Sequence, residues 1–329
     1  MRILITGGAG FVGSHLARRL LADGHDLVLV DDLSTGRRDN VAELLGEHCE
    51  LRCQQIGEAL ADDAWMKSID AIYHLAAAVG VQLIVDEPVH TIETNVLETS
   101  AVLKSAARFG TPVLLTSSSE VYGKSSRVPF SEDDDVVYGA TCYNRWSYAA
   151  TKAIDEYLAL NYHKTHKLPV VIVRLFNTIG PGQIGRYGMV VPRFIERALA
   201  DKPIEIYGDG QQTRCFCHVS DVVGAMVRLL STPACYGGVY NLGSDEEVTI
   251  DELADRIIAL TGSGAGKQYV DYQTAYGAAF DDLRRRVPDL SRIRQAIGFE
   301  PTRSLDQILR QLIDAARAQA SSSPEVHHA

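Results

Sequence analysis

The stretch Ile3-Leu4-Ile5-Thr6-Gly7-Gly8-Ala9-Gly10-Phe11-Val12-Gly13 decides how the rest of the chain is read. Its apolar start has no alternation, so it reads as a strand covered on both faces rather than one half exposed to water. Glycines spaced Gly7-x-x-Gly10-x-x-Gly13 then let the backbone turn tightly and approach a ligand, and the helix that follows offers free N–H groups at its start. Strand, glycine turn and helix start in this order point to a dinucleotide whose pyrophosphate rests on the helix N-terminus. A plain tight turn between a strand and a helix is the competing reading.

Working outward, Leu27 to Val30 reads as a second buried strand ending at Asp31, 18 residues after Gly13. A carboxylate there can accept both hydroxyls of the adenosine ribose and repels a 2'-phosphate, so NAD is expected rather than NADP, despite Arg37 and Arg38 nearby. Ala71 to Leu75 and Val113 to Ser117 repeat the strand pattern. Phe11 to Leu21 and Ile92 to Ala107 carry helical periodicity between them. Parallel strands need covering crossover helices, so the expected fold is α/β, a Rossmann-type doubly wound parallel sheet. After Asn177 glycine and proline clusters separate shorter elements, which predicts a smaller α/β substrate-binding lobe. The expected division is 1–176 for the dinucleotide-binding domain, with segments of about 211–245 returning to it, and mainly 177–320 for the lobe. Thr249-x-x-Glu252 and Ser304-x-x-Gln307 read as capping boxes of two lobe helices, and 321–329 as a disordered tail.

Composition narrows the partners. With 329 residues, 46% of them hydrophobic, the chain can bury a full core, and its net charge of -10 offers no basic field for nucleic acid or anionic lipid. The six cysteines show no metal-binding spacing, so no metal is expected, and reduced thiols in a cytoplasmic protein are. No run approaches a spanning helix, and glycine-rich structure so close to Met1 leaves no room for a signal peptide, so a soluble enzyme is expected.

The chemistry is expected at Tyr148-Ala-Ala-Thr-Lys152. A phenol and an ammonium at i and i+4 share one helix face, and the fixed cation, together with an oxidised nicotinamide, is expected to lower the tyrosine pKa so that Tyr148 takes a hydroxyl proton as hydride leaves. Such a pair alone is often a surface coincidence. Here it follows the glycine loop and a strand ending in Thr116-Ser117-Ser118-Ser119, whose Ser118 is the natural third member.

At these residues the chain resembles the extended short-chain dehydrogenase/reductases, and within them the sugar-nucleotide epimerases, dehydratases and decarboxylases. The resemblance runs from Gly7 through His74-Leu75-Ala76-Ala77, Asn95, Ser118, Tyr148, Lys152 and Asn177 to Arg286-x-Pro288-Asp289. It implies NAD held by Gly7, Gly10, Phe11, Val12, Gly13, Asp31, Asp32, Ser34, Gly36, Gln55, Ile56, Leu75, Ala76, Ala77, Asn95, Thr116, Tyr148 and Lys152. It implies a UDP-sugar held by Ser118, Ser119, Asn177, Arg186, Val190, Tyr207, Gln212, Arg214 and Arg286, oxidation at C4 to a keto sugar, and pairing of two copies into a homodimer through two helices. Two positions depart from the family's pattern: Gln55 stands where an aspartate often binds adenine, and Gly182 where an arginine often follows Gly180-Pro181. Arg286 lies in Arg284-Arg285-Arg286, which reads equally well as a solvated basic stretch.

The second step divides the family. Ser118-Ser119-Glu120 lacks the acid of the 4,6-dehydratases and matches the Thr-Ser-Glu of UDP-glucuronate decarboxylases, which makes Glu120 a candidate catalytic residue. Arg186 pulls toward UDP-glucuronate 4-epimerases, because a guanidinium clamp on the sugar carboxylate would hold it against loss. The sequence reading puts 4-epimerase first, decarboxylase second and dehydratase behind. A non-catalytic NAD-binding sensor is the reading from a different class.

Overall fold

The computed structural model describes residues 1–78, 87–185, 189–271, 274 and 283–322. Its strands are β1 (Arg2–Thr6), β2 (Asp26–Val30), β3 (Cys49–Arg52), β4 (Ala71–His74), β5 (Val113–Ser118), β6 (Val170–Leu175), β7 (Thr178–Ile179), β8 (Ile204–Tyr207), β9 (Thr213–Cys215), β10 (Cys217–His218), β11 (Val239–Leu242), β12 (Glu247–Thr249) and β13 (Lys267–Val270). Its helices are α1 (Phe11–Ala22), α2 (Ile56–Ala59), α3 (Asp63–Met66), α4 (Pro88–Phe109), α5 (Arg145–His166), α6 (Val190–Leu199), α7 (Val219–Leu230), α8 (Ile250–Thr261), α9 (Ser291–Ile297) and α10 (Leu305–Ser322).

A seven-stranded sheet in the order β11-β6-β5-β4-β1-β2-β3 forms the larger body, with every pair parallel. Strand alternation explains its continuous apolar runs. Ile3 and Ile5 of β1 face one core with α1 and α7, while Leu4 faces the opposite core with α4. Leu27 and Leu29 of β2 join the first core, and Val28 and Val30 the second. Truncating any of these buried side chains to alanine is expected to cost about 2–5 kcal/mol.

The strand order reverses between β1 and β4, so the carboxyl ends of both open into a crevice, where ligands of such sheets bind. A third core, built from α6, α8, α10 and the ends of β8 and β12, forms the second lobe over that crevice. The Thr249 capping box is complete: Glu252 N–H donates to Thr249 Oγ1 at 3.0 Å and Thr249 N–H to Glu252 Oε2 at 3.1 Å. Ser304 and Gln307 make the same reciprocal pair at 2.9 and 3.4 Å. One expectation is corrected. Helix α10 continues through Ser321 and Ser322, as an extension of the stretch from Leu305 to Ala316 that packs on the third core; 323–329 lie outside the described residues. Among the described residues no helix is long and apolar enough to cross a membrane, and no group of acids, histidines or cysteines could hold a metal ion.

Candidate active site

A cleft of about 980 Å³ runs between the carboxyl ends of the sheet and the second lobe. Its floor is the glycine loop. Gly7 has φ +69°, and a β-carbon on Gly13 would stand 2.1 Å from the Gly7 carbonyl oxygen, so neither position accepts a side chain. Gly10 begins α1 with no side-chain cap and no acid in the first turn, leaving donors and the positive helix end for an anion. Asp31 closes the loop: its carboxylate accepts the N–H groups of Ala9 and Leu33, each at 2.9 Å, and still has lone pairs facing the cleft. Burial pushes this carboxyl up, and those two N–H groups pull it back. The loop, the open start of α1 and Asp31 therefore fit a dinucleotide such as NAD.

Most residues singled out in the sequence line this one cleft: Gly7, Gly10, Phe11, Val12, Gly13, Asp31, Asp32, Ser34, Gln55, Ile56, Leu75, Ala76, Ala77, Thr116, Ser118, Ser119, Glu120, Tyr148, Lys152, Asn177, Val190, Tyr207, Gln212, Arg214 and Arg286. Three do not. Gly36 packs behind Asp31, where a β-carbon would meet the carboxylate at 2.6 Å. Asn95 is buried and spends its amide on Ala78, accepting its N–H at 2.8 Å and donating to its carbonyl at 3.3 Å, so it fixes the backbone after β4. Arg186 lies outside the described residues.

Tyr148, Lys152, Ser118 and Glu120 meet at the centre. Ser118 caps the short turn after β5, accepting the Glu120 N–H at 3.2 Å, and its hydroxyl favours the ionised form of the Tyr148 phenol. The lowering of the tyrosine pKa expected from Lys152 includes an oxidised nicotinamide; the protein groups around the phenol push the other way. The Tyr148 hydroxyl is pushed above its ordinary value, first by burial and then by the Glu120 carboxylate, with Ser118 pulling the other way. The Lys152 ammonium is bound to the Asp155 carboxylate at 2.8 Å.

The three arginines before Val287 diverge. Arg284 pairs with Asp209 at 2.7 Å and Arg285 with Glu247 at 2.8 Å, both at the surface. Arg286 turns inward, 7% exposed, and its Nη2 donates to Glu120 Oε1 at 2.7 Å. Backbone bonds hold this phase: Phe130 N–H to the Val287 carbonyl and Asp289 N–H to the Phe130 carbonyl, each 2.8 Å. The solvated-stretch reading thus fits Arg284 and Arg285 and fails for Arg286.

Sequence reasoning missed Arg193, whose guanidinium lies 4.0 Å over the Tyr207 ring in the first turn of α6. It also missed Asp155, three positions beyond Lys152 on the same helix; that i, i+3 spacing was the available signal. Asn177, Arg214 and Gln212 are anchored to the lobe backbone at Cys215, Leu283 and Tyr207 at 3.1, 2.9 and 2.8 Å.

A glycine-loop sheet, a tyrosine–serine–lysine group and an arginine-lined second lobe define the class of a dinucleotide-dependent enzyme. The family comparison makes this specific: residues 3–243 match the model of the NAD dependent epimerase/dehydratase family, and the chain belongs to it. It is 40% identical over 317 residues to a UDP-N-acetyl-alpha-D-glucosaminuronate decarboxylase of Bacillus cytotoxicus, covering 95% of this chain and 96% of that one. It is 36% identical to UDP-glucuronic acid decarboxylase 1 of Xenopus tropicalis, covering 97% of this chain and 72% of the relative. Among solved structures, UDP-glucuronic acid 4-epimerase from Bacillus cereus, in complex with UDP-glucuronic acid and NAD, superposes with a TM-score of 0.86 at 29% identity, covering 97% of this chain and all 100% of that one. The relatives' names favour the decarboxylase reading over the 4-epimerase put first from the sequence.

Proposed function

We propose that this chain is a UDP-hexuronate decarboxylase, acting on UDP-glucuronate or its 2-acetamido counterpart. The observation that carries the reading is the Glu120–Arg286 ion pair beside Tyr148 and Ser118. Bound NAD supplies a reversible hydride acceptor for C4 of the sugar. Tyr148 takes the C4 hydroxyl proton while Ser118 holds the same oxygen, and the product is a ketone β to the C6 carboxylate. Arg286 enters this encounter already neutralised by Glu120, so it is no free bidentate clamp, and a second carboxylate beside Glu120 is repelled. Breaking the C5–C6 bond releases that carbon as carbon dioxide and leaves an enolate, whose C5 takes up one proton from water, with Glu120 as the relaying carboxylate. Tyr148 returns its proton as C4 is reduced.

The diphosphate is assigned to Arg214, Asn177 and the start of α6 at Val190, and the base to Tyr207, with 1–176 and the returning segments holding NAD. Exposed Val89 and Leu97 on α4, and Ile154 and Tyr157 on α5, support the homodimer expected from the family, since these helices pack side by side. Free thiols at all six cysteines accord with a cytoplasmic setting. The test is to incubate the protein with NAD and each UDP-hexuronate and follow the sugar by NMR. A pentose product is expected. Retained C6 with inverted C4 would establish the epimerase instead, and no turnover would defeat both.

A further inference from the structure

Tyr148, Lys152 and Asp155 occupy one face of α5 at i, i+4 and i+7. Lys152 and Asp155 form an ion pair of 2.8 Å whose side chains are 2% and 0% exposed. A buried lone ammonium beside a phenol pulls it strongly toward phenolate. An ammonium locked to a carboxylate acts as a dipole, whose field weakens faster with distance, and the carboxylate itself opposes a second negative charge.

We propose that Asp155 is a positioning residue that neutralises Lys152 and thereby sets the pH at which Tyr148 becomes a base; the catalytic consequence rests on the proposed oxidation of a UDP-sugar by Tyr148. The other groups packed around this trio do not take over that task. From the turn after β5, Glu120 raises the phenol and the Ser118 hydroxyl lowers it. From β4, His74 faces Lys152, but burial and that cation hold it neutral, down to about 3; its ring is engaged by Thr6 and Thr99 at 2.7 and 3.1 Å. From α4, Thr99 favours the ionised form of Asp155, whose carboxyl is pushed up by burial first and drawn back by Lys152. Glu156, next on α5, is committed to Arg174 of β6 at 2.7 Å. Asp155 is therefore the charge that bears directly on Lys152.

The test compares wild type with Asp155→Asn and Asp155→Glu. Tyrosinate absorbance of the NAD-loaded protein is titrated against pH without any sugar, and the same titration of Tyr148→Phe is subtracted. The Asn variant is expected to ionise about one pH unit lower, with the Glu variant close to wild type. The acid limb of cofactor reduction by the sugar nucleotide should move to lower pH by the same amount, since a phenol that ionises earlier is a base earlier. If Asp155→Asn does not fold, Asp155→Ser carries the same expectation. A midpoint that stays or rises in the neutral variants, or moves equally in the Glu variant, overturns the proposal, as does a loss of thermal stability or NAD affinity with the midpoint unmoved. Absence of turnover in wild type would instead break the decarboxylase reading, leaving the sugar-free titration to decide this one.

Discussion

The two walls of the cleft solve the same problem in opposite ways. On the glycine-loop side the chain satisfies itself: Asp31 bonds the loop, Asp32 accepts the Ser34 N–H at 2.9 Å, and Thr116 donates to the His74 carbonyl at 3.0 Å. On the lobe side, buried polar atoms are left without partners, namely Gln183 Oε1, Arg193 Nε, Gln212 Oε1 and Arg286 Nε, all from residues that line the cleft. Such atoms are costly to leave bare, and on the proposed function the sugar nucleotide supplies their partners. One wall is shaped mainly by backbone; the other is a set of side chains awaiting polar partners.

Substitutions can break that contrast or sharpen it. The largest effect is expected where the walls meet: Tyr148→Phe should lower turnover by about 10²–10⁴-fold while NAD affinity, measured by fluorescence titration, is retained. Glu120→Ala strands Arg286 in a buried setting and should cost about 3–5 kcal/mol in denaturant unfolding; Glu120→Gln should keep more of the fold and still lose decarboxylation. If Glu120→Ala is as stable as wild type, the pair is not the buried latch described. Arg193→Ala should raise KM for the UDP-sugar about tenfold with kcat nearly unchanged, read from initial rates at saturating NAD. An equal loss in kcat would mean that Arg193 acts on the reacting centre and not on the remote part of the substrate. The smallest effect belongs to Thr249→Ala, outside both walls, which should cost about 1 kcal/mol in thermal unfolding and leave kcat/KM unaltered.

The same contrast explains what could be read from the sequence. Backbone-built features announce themselves locally: the Gly7–Gly13 spacing, Asp31 at a strand end and the Thr249 box are decided within a few residues, and each formed as expected. Side-chain assemblies across the lobe join distant segments, such as Glu120 with Arg286, and no periodicity in the sequence encodes that meeting. The Tyr148–Lys152 spacing was legible, but its electrostatics were not, because they depend on burial and on Asp155. Resemblance found Arg286 where spacing alone could not choose among three arginines. The bonds of Asn95 to Ala78 also join positions 17 residues apart and carry no local signal.

The divergence of Arg284, Arg285 and Arg286 has a consequence for how this region can change. Arg284 sits at a bend, after which the consecutive Arg285 and Arg286 point to opposite sides, and the bonds from Phe130 to Val287 and Asp289 hold the frame downstream. Losing one residue between Arg286 and Pro288 would keep the composition almost intact, yet it would shift the phase and turn the guanidinium that meets Glu120 out toward solvent. Tolerance here is thus a matter of count more than of chemistry: an arginine in the wrong step of the frame is equivalent to none.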